Sequence, residues 1–142
     1  MNLPHENSKR FIAILNKKIE TGKVMNALGH ITAGLASEIK KEDMCLLQYK
    51  DKDGNIHPNI SHFPFIILKA DNSNKIRTVR NACIERNIPF GDFTSTMTIG
   101  TSQEQQQATA NTSEEELEYY AIVMFSKTEE LKEFTGKFSL YQ

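Results

Sequence analysis

The chain has 142 residues, a formal net charge of −1, 39% hydrophobic residues and 25% charged residues. This length and composition predict one globular domain and exclude a strongly basic nucleic-acid-binding protein, so we expect no DNA partner. The sequence contains no run of 18 apolar residues, and we therefore expect no membrane-spanning helix.

The chain begins with a polar segment that lacks the apolar centre of a secretory signal. We expect residues 1–9 to form a disordered lead and residues 10–142 to form a single domain. The two cysteines, Cys45 and Cys83, lie in apolar surroundings and are expected to be small buried residues. Without a signal or paired cysteine spacing, the expected location is the reducing cytoplasm.

The elements of the first half follow from its apolar periodicity and turn residues. They are, in order, a buried strand at 11–15, an amphipathic helix at 22–39, a strand at 44–49, a turn at 51–55, an edge strand at 56–61 and a central strand at 63–70. The helix presents Val24, Leu28, Ile31, Leu35 and Ile39 on one face, which we expect to face the core.

The second half contains more turn and capping signals. Its predicted elements are a helix at 74–87 capped by Asn72 or Ser73, a strand or loop at 90–98, a mobile loop at 101–112, a helical turn at 113–116, a strand at 119–125, a short helix that starts near 126–129 and ends at Gly136, and an edge strand at 138–141. This order predicts an α/β fold in which a mixed sheet is flanked by helices on both faces. Beyond the first helix, the expected core residues are Phe65, Ile67, Val79, Ile122 and Phe125.

A second face of the first predicted helix carries Lys23, Asn26, Ala27, His30 and Gly34. A lysine is electrostatically disfavoured at a helix start, and an anion bound there would explain it. An imidazole on the same face could act as a general base. The alternative from spacing alone is that these residues form the polar flank of an amphipathic helix.

Four segments carry a family resemblance: residues 23–30, 92–97, 115–119 and 137–140. Gly22-Lys23 followed by His30 resembles the signature of type II peptidyl-tRNA hydrolases. The chain more closely resembles domain-of-unknown-function family number 2000, which shares that fold. The resemblance spans about residues 10–141 and implies a three-layer, type II peptidyl-tRNA hydrolase-like fold.

The resemblance also implies a site. Lys23, His30, Asp92 and Thr96 match the hydrolase pattern as candidate catalytic residues, and Asn26 and Thr94 are candidate substrate-binding residues. It implies that Asp92 and Thr96 lie near Lys23, where the carboxylate would be held ionised. No cofactor or metal is expected, because the other histidines lack ligand spacing.

The chain departs from the hydrolase pattern at several positions. Ala27 stands where the hydrolases usually have Gln, and Phe93-Thr94 stand in place of Ala-Gly. Two functions therefore remain open. One is a hydrolase that acts on a small-molecule or tRNA ester, and the other is a non-catalytic binding or interaction protein on the same scaffold. The resemblance further implies a homodimer.

Overall fold

The computed structural model describes residues 2–142. The strands are β1 (Lys9–Asn16), β2 (Leu46–Lys50), β3 (Ile56–Ser61), β4 (Phe65–Ala70), β5 (Phe90–Thr94), β6 (Tyr119–Lys127) and β7 (Ser139–Leu140). The α-helices are α1 (Thr21–Ala36), α2 (Lys41–Met44), α3 (Ser73–Arg86), α4 (Ser102–Ala110) and α5 (Thr128–Thr135). Short 3₁₀ turns lie at Ser95–Met97 and Glu114–Glu116.

The predicted lead at residues 1–9 runs into β1, which begins at Lys9. Met1 lies outside the described residues. The Pro4 carbonyl accepts a hydrogen bond of 2.7 Å from His62 Nε2, so the lead contacts the end of the hairpin formed by β2 and β3.

A five-stranded mixed sheet has the order β5-β6-β1-β4-β7. β1 and β4 are parallel, and the other neighbouring strands are antiparallel. The apolar core divides into two clusters, as strand alternation requires. One cluster joins β1, β5 and β6 to α1, and the other joins β1, β4 and β6 to α3 and α5. The predicted mixed sheet flanked by helices is thus confirmed.

The periodicity argument placed most of the core. Val24, Ile31, Leu35, Val79, Ile122 and Phe125 are buried as predicted. Leu28, Ile39 and Ile67 are partly buried and pack against the α1 cluster. Cys83 is buried, whereas Cys45 is only partly buried.

β4 lies inside the sheet between β1 and β7, but the prediction that it is covered on both faces was wrong for its first residues. β7 pairs with β4 through Leu68 and Lys69, and the Tyr141 amide donates a hydrogen bond of 2.9 Å to the Ile67 carbonyl, so only the beginning of β4 is unpaired on this side. Phe65, which was predicted to be a core residue, is 38% exposed, although its ring stacks on Phe11 at a centroid distance of 5.3 Å. The strand with the longest buried run is β6.

The predicted hairpin forms as a separate two-stranded sheet of β2 and β3. Strand β2 begins two residues later than predicted, because Met44 ends the short helix α2 and Cys45 adopts a left-handed conformation. Asn72 caps α3, as expected, by accepting a hydrogen bond from the Lys75 amide. None of the helices in residues 2–142 is long and apolar enough to cross a membrane.

The prediction of a mobile loop at residues 101–112 was also wrong, because Ser102–Ala110 form helix α4. The Thr101 side chain accepts a hydrogen bond from the Glu104 amide, and the Glu104 carboxylate accepts one from the Thr101 amide. This reciprocal capping box starts α4, although the helix has no apolar face. α4 has no buried residue and packs mainly on the 3₁₀ turn that follows β5.

Candidate functional site

The first three turns of α1 form one wall of an open pocket with a volume of about 470 Å³. The lining residues are Gly22, Lys23, Asn26, His30, Phe93, Met97, Thr98, Gln105 and Tyr120. The pocket thus brings together three predicted site residues, Lys23, Asn26 and His30. Ala27, from the same predicted arc, is fully buried against the sheet and does not line the pocket.

The electrostatics of this wall favour a negative ligand. Glu20 precedes α1 but makes no side-chain cap, and the first turn contains no acidic residue. Lys23 therefore adds a cation to the positive end of the helix dipole. Among the described residues that line the pocket, none is Asp or Glu.

The polar side chains of the wall are not used elsewhere in the fold. Within residues 2–142, no carboxylate lies within 4.0 Å of the Lys23 ammonium. Over the same part of the chain, neither the side-chain amide of Asn26 nor the His30 ring forms a hydrogen bond with a protein group. An ammonium, an amide and an imidazole are thus left to meet solvent or a ligand.

Aromatic side chains form the floor of the pocket. The His30 ring lies 6.0 Å from the Phe93 ring with an interplanar angle of 29°, and Phe93 lies 6.2 Å from Tyr120. Gly91 permits this packing of β5 against α1, because a Cβ at residue 91 would lie 3.0 Å from the Ile31 carbonyl oxygen. A flat apolar group could contact this floor where it lines the pocket.

Helix α4 and the turn before it complete the opposite wall with Met97, Thr98 and Gln105. A short hydroxyl chain attaches α4 to the end of β5. Thr96 Oγ1 lies 2.7 Å from Thr94 Oγ1 and 2.8 Å from Thr109 Oγ1, and Thr109 donates to the Gln105 carbonyl at 2.8 Å. These hydroxyl contacts therefore fix the backbone of Gln105, whose side-chain amide lines the pocket.

The structure does not bring Asp92 to Lys23. Asp92 and Phe93 are neighbours on β5, so their side chains point to opposite faces of the sheet. Phe93 faces α1, whereas Asp92 faces α3 and accepts a hydrogen bond from Arg80 Nε at 2.9 Å. Burial raises the pKa of the Asp92 carboxyl above its usual range, although the Arg80 charge acts in the opposite direction.

The two threonines of the predicted site, Thr94 and Thr96, form hydrogen bonds within the fold and do not line the pocket. Thr94 has no exposed surface, and its hydroxyl is occupied by Thr96. Thr96 does not line the pocket, since its hydroxyl lies between Thr94 and Thr109. Both residues affect the pocket only indirectly, because their hydroxyl contacts help to hold α4 in place.

Several pocket residues were not identified from the sequence: Phe93, Met97, Thr98, Gln105 and Tyr120. Two signals could have indicated some of them. Alternation along β5 assigns Asp92 and Phe93 to opposite faces, and the capping box at Thr101 and Glu104 indicates a helix that carries Gln105. The contact of α4 with the pocket is tertiary and has no local sequence signal.

A metal centre finds no support in the described residues, where no three His, Cys, Asp or Glu side chains are grouped to hold an ion. The remaining histidines have other contacts. His57 pairs with Asp51 at 3.0 Å, and this contact lowers the pKa of the Asp51 carboxyl. His62 bonds to the Pro4 carbonyl.

Fold and site together define a three-layer α/β protein with a positively charged, ligand-sized pocket beside its first helix. The chain belongs to the family described as Protein of unknown function (DUF2000), whose model matches residues 9–142. No curated protein matches the chain significantly.

Among solved structures, the chain is similar to a protein of unknown function from Agrobacterium tumefaciens strain C58. The two share 15% sequence identity with a TM-score of 0.80, and the match covers 95% of this chain and 98% of the other. At this identity the likeness shows a common fold alone.

Proposed function

We propose that the α1 pocket binds a small anionic ligand that also carries a flat apolar group. The observation that supports this proposal is the Lys23 ammonium at the start of α1, in a pocket without a carboxylate among its described lining residues. The Phe93 and Tyr120 rings supply the apolar floor. A volume of about 470 Å³ is within the range of small-molecule sites.

A phosphate titration tests this proposal. Backbone and side-chain amide resonances of ¹⁵N-labelled protein would be followed against inorganic phosphate and then phenyl phosphate. We expect the largest shifts at Gly22, Lys23 and Asn26. Phenyl phosphate should bind more tightly than phosphate, because its ring can pack on the aromatic floor.

A pair of charge-removing variants locates the binding. A charge-assisted hydrogen bond contributes about 1.5–3 kcal/mol, so Lys23→Gln should weaken phenyl phosphate binding by about tenfold or more. Lys52→Gln removes an exposed lysine from the β2–β3 turn and should leave Kd within about twofold. Equal effects of the two variants would refute a specific site at Lys23.

Ester hydrolysis is the second candidate function, and one observation favours it. His30 lies on the same wall as Lys23, and its ring can take a proton from a water molecule in the pocket. Asp92 is committed to Arg80, and within residues 2–142 no carboxylate bonds to the imidazole to orient it. We therefore expect slow turnover if the protein is an enzyme.

This second proposal includes a type II peptidyl-tRNA hydrolase-like fold. An N-acetylated aminoacyl-tRNA, which carries the ester that such hydrolases cleave, is therefore the substrate to test. Slow release of the acylated amino acid should disappear in His30→Asn and persist in His57→Asn, which alters an exposed histidine of the hairpin. Tight binding of phenyl phosphate without any turnover would favour a non-catalytic binding protein.

A further inference from the structure

We propose that a second site, a groove between α3 and α5, binds a medium-chain carboxylate, with its carboxylate at Lys75 and Lys137 and its chain over Phe134. The groove lies on the sheet face opposite the α1 pocket. It consists of two adjoining cavities of about 510 Å³ and about 300 Å³. Both are lined by Lys75, Lys137 and Phe138.

The larger cavity offers an apolar surface. Val79, Ala82, Phe134 and Phe138 supply carbon atoms to its lining, and the two phenylalanines are only partly buried. Such a surface can take an alkyl chain out of water, which is favourable in proportion to the area covered.

Apart from Lys75 and Lys137, the polar side chains of this larger cavity already have partners within the fold. Thr78 donates its hydroxyl hydrogen to the Asn74 carbonyl at 3.1 Å. Glu133 is bound by Arg86, and Lys132 lies 3.6 Å from Glu129. The cavity therefore provides few partners for a polar ligand and favours a chain without hydrogen-bonding groups.

The charges lie where the two cavities meet. Lys75 contacts Asp71 at 3.0 Å, but Asp71 also contacts Lys17 at 3.0 Å, so two cations share one carboxylate. Lys137 has no carboxylate within 4.0 Å in the described chain, and its ammonium lies 5.7 Å above the Phe138 ring. This cluster keeps a net positive charge next to an apolar cavity, which matches a carboxylate attached to an alkyl chain.

A chain-length series tests the match. Hexanoate, octanoate and decanoate would be titrated below their micelle concentrations, with detection at the amides of Ala82 and Phe138. Each buried methylene should tighten Kd about fourfold. Decanol should bind more weakly than decanoate. Equal Kd values across the series, or for decanol and decanoate, would overturn the proposal.

Variants distinguish this groove from the α1 pocket. Ala82→Phe fills the larger cavity and Lys137→Gln removes the free cation, and each should weaken decanoate binding at least about fivefold. Lys52→Gln and Lys23→Gln should leave it unchanged. Loss of decanoate binding in Lys23→Gln would assign the ligand to the α1 pocket and overturn the proposal. Binding to anionic phospholipid vesicles without binding to monomeric decanoate would also overturn it.

Discussion

Replacing Arg80 by Met should destabilise the protein by about 2–3 kcal/mol at pH 7, because the Asp92 carboxylate then stays buried without its cation. Breaking a fully buried ion pair costs about 3–5 kcal/mol. The lower value follows from the exposure of this pair, whose side chains are 26% and 17% exposed for Arg80 and Asp92. Met retains contact with the Phe90 ring, over which the Arg80 guanidinium now lies at 5.7 Å.

Replacing Asp92, the partner of Arg80, should have a smaller effect on the free energy of unfolding. Burial raises the pKa of Asp92 despite Arg80, so the ionised carboxyl is less favourable in the folded protein than in the unfolded chain. Asp92→Asn removes that charge and keeps an acceptor for Arg80 Nε. We therefore expect a change within about 1 kcal/mol. Phosphate binding at the α1 pocket should be unaffected, since Asp92 faces α3.

The dependence on pH supplies a further check. A carboxyl whose folded pKa exceeds its unfolded pKa binds more protons in the folded state, so its contribution to stability rises as pH falls through that interval. Without Arg80 the pKa of Asp92 rises further, and the destabilisation by Arg80→Met should shrink between pH 7 and pH 4.

Urea unfolding followed by far-ultraviolet circular dichroism measures these free energies, with Lys132→Met as a control. Lys132 pairs with Glu129 at the surface, so its loss should change stability by less than about 1 kcal/mol. The reasoning is refuted if Arg80→Met costs no more than Lys132→Met, or if its cost grows as pH falls.

Four other outcomes are expected. Leu35→Ala should cost about 2–5 kcal/mol in urea unfolding, because Leu35 is 2% exposed. Thr101→Ala should remove about 1 kcal/mol of capping energy and speed amide hydrogen exchange in α4, with little change in global stability. Ellman's reagent at pH 8 should modify Cys45 before Cys83, because burial raises the pKa of Cys83 to about 12. Sedimentation velocity at micromolar concentration should show the homodimer that the family resemblance implies, and a species of 16.2 kDa would exclude it.

The sequence was most informative where side chains repeat with a fixed period. The helical period placed Val24, Ile31 and Leu35 in the core, and the same period put Lys23 and His30 on one face. Local capping chemistry likewise indicated α3 through Asn72. These features depend on neighbours within four residues, which a sequence displays directly.

Features that depend on distant parts of the chain were harder to predict. The apolar run around Phe65 is typical of a strand covered on both faces, but burial depends on which distant elements cover each face, and Phe65 is 38% exposed. The segment with Gln105 lacks an apolar face, and its helix is attached instead by hydroxyl contacts from Thr109 to the end of β5. Composition alone therefore indicated a mobile segment where the fold has a helix.

Strand alternation explains why the pocket has a cation and an imidazole without a carboxylate. Moving Asp92 to the α1 side would require a shift of β5 by one residue. That shift would move Phe93 to the α3 side and away from His30, and it would leave Arg80 without its partner. The β5–β6 register resists it, because Phe93 lies opposite Ala121 and both belong to the α1 cluster. A ligand at Lys23 must therefore supply its own negative charge, and this requirement is the physical basis for testing anions before esters.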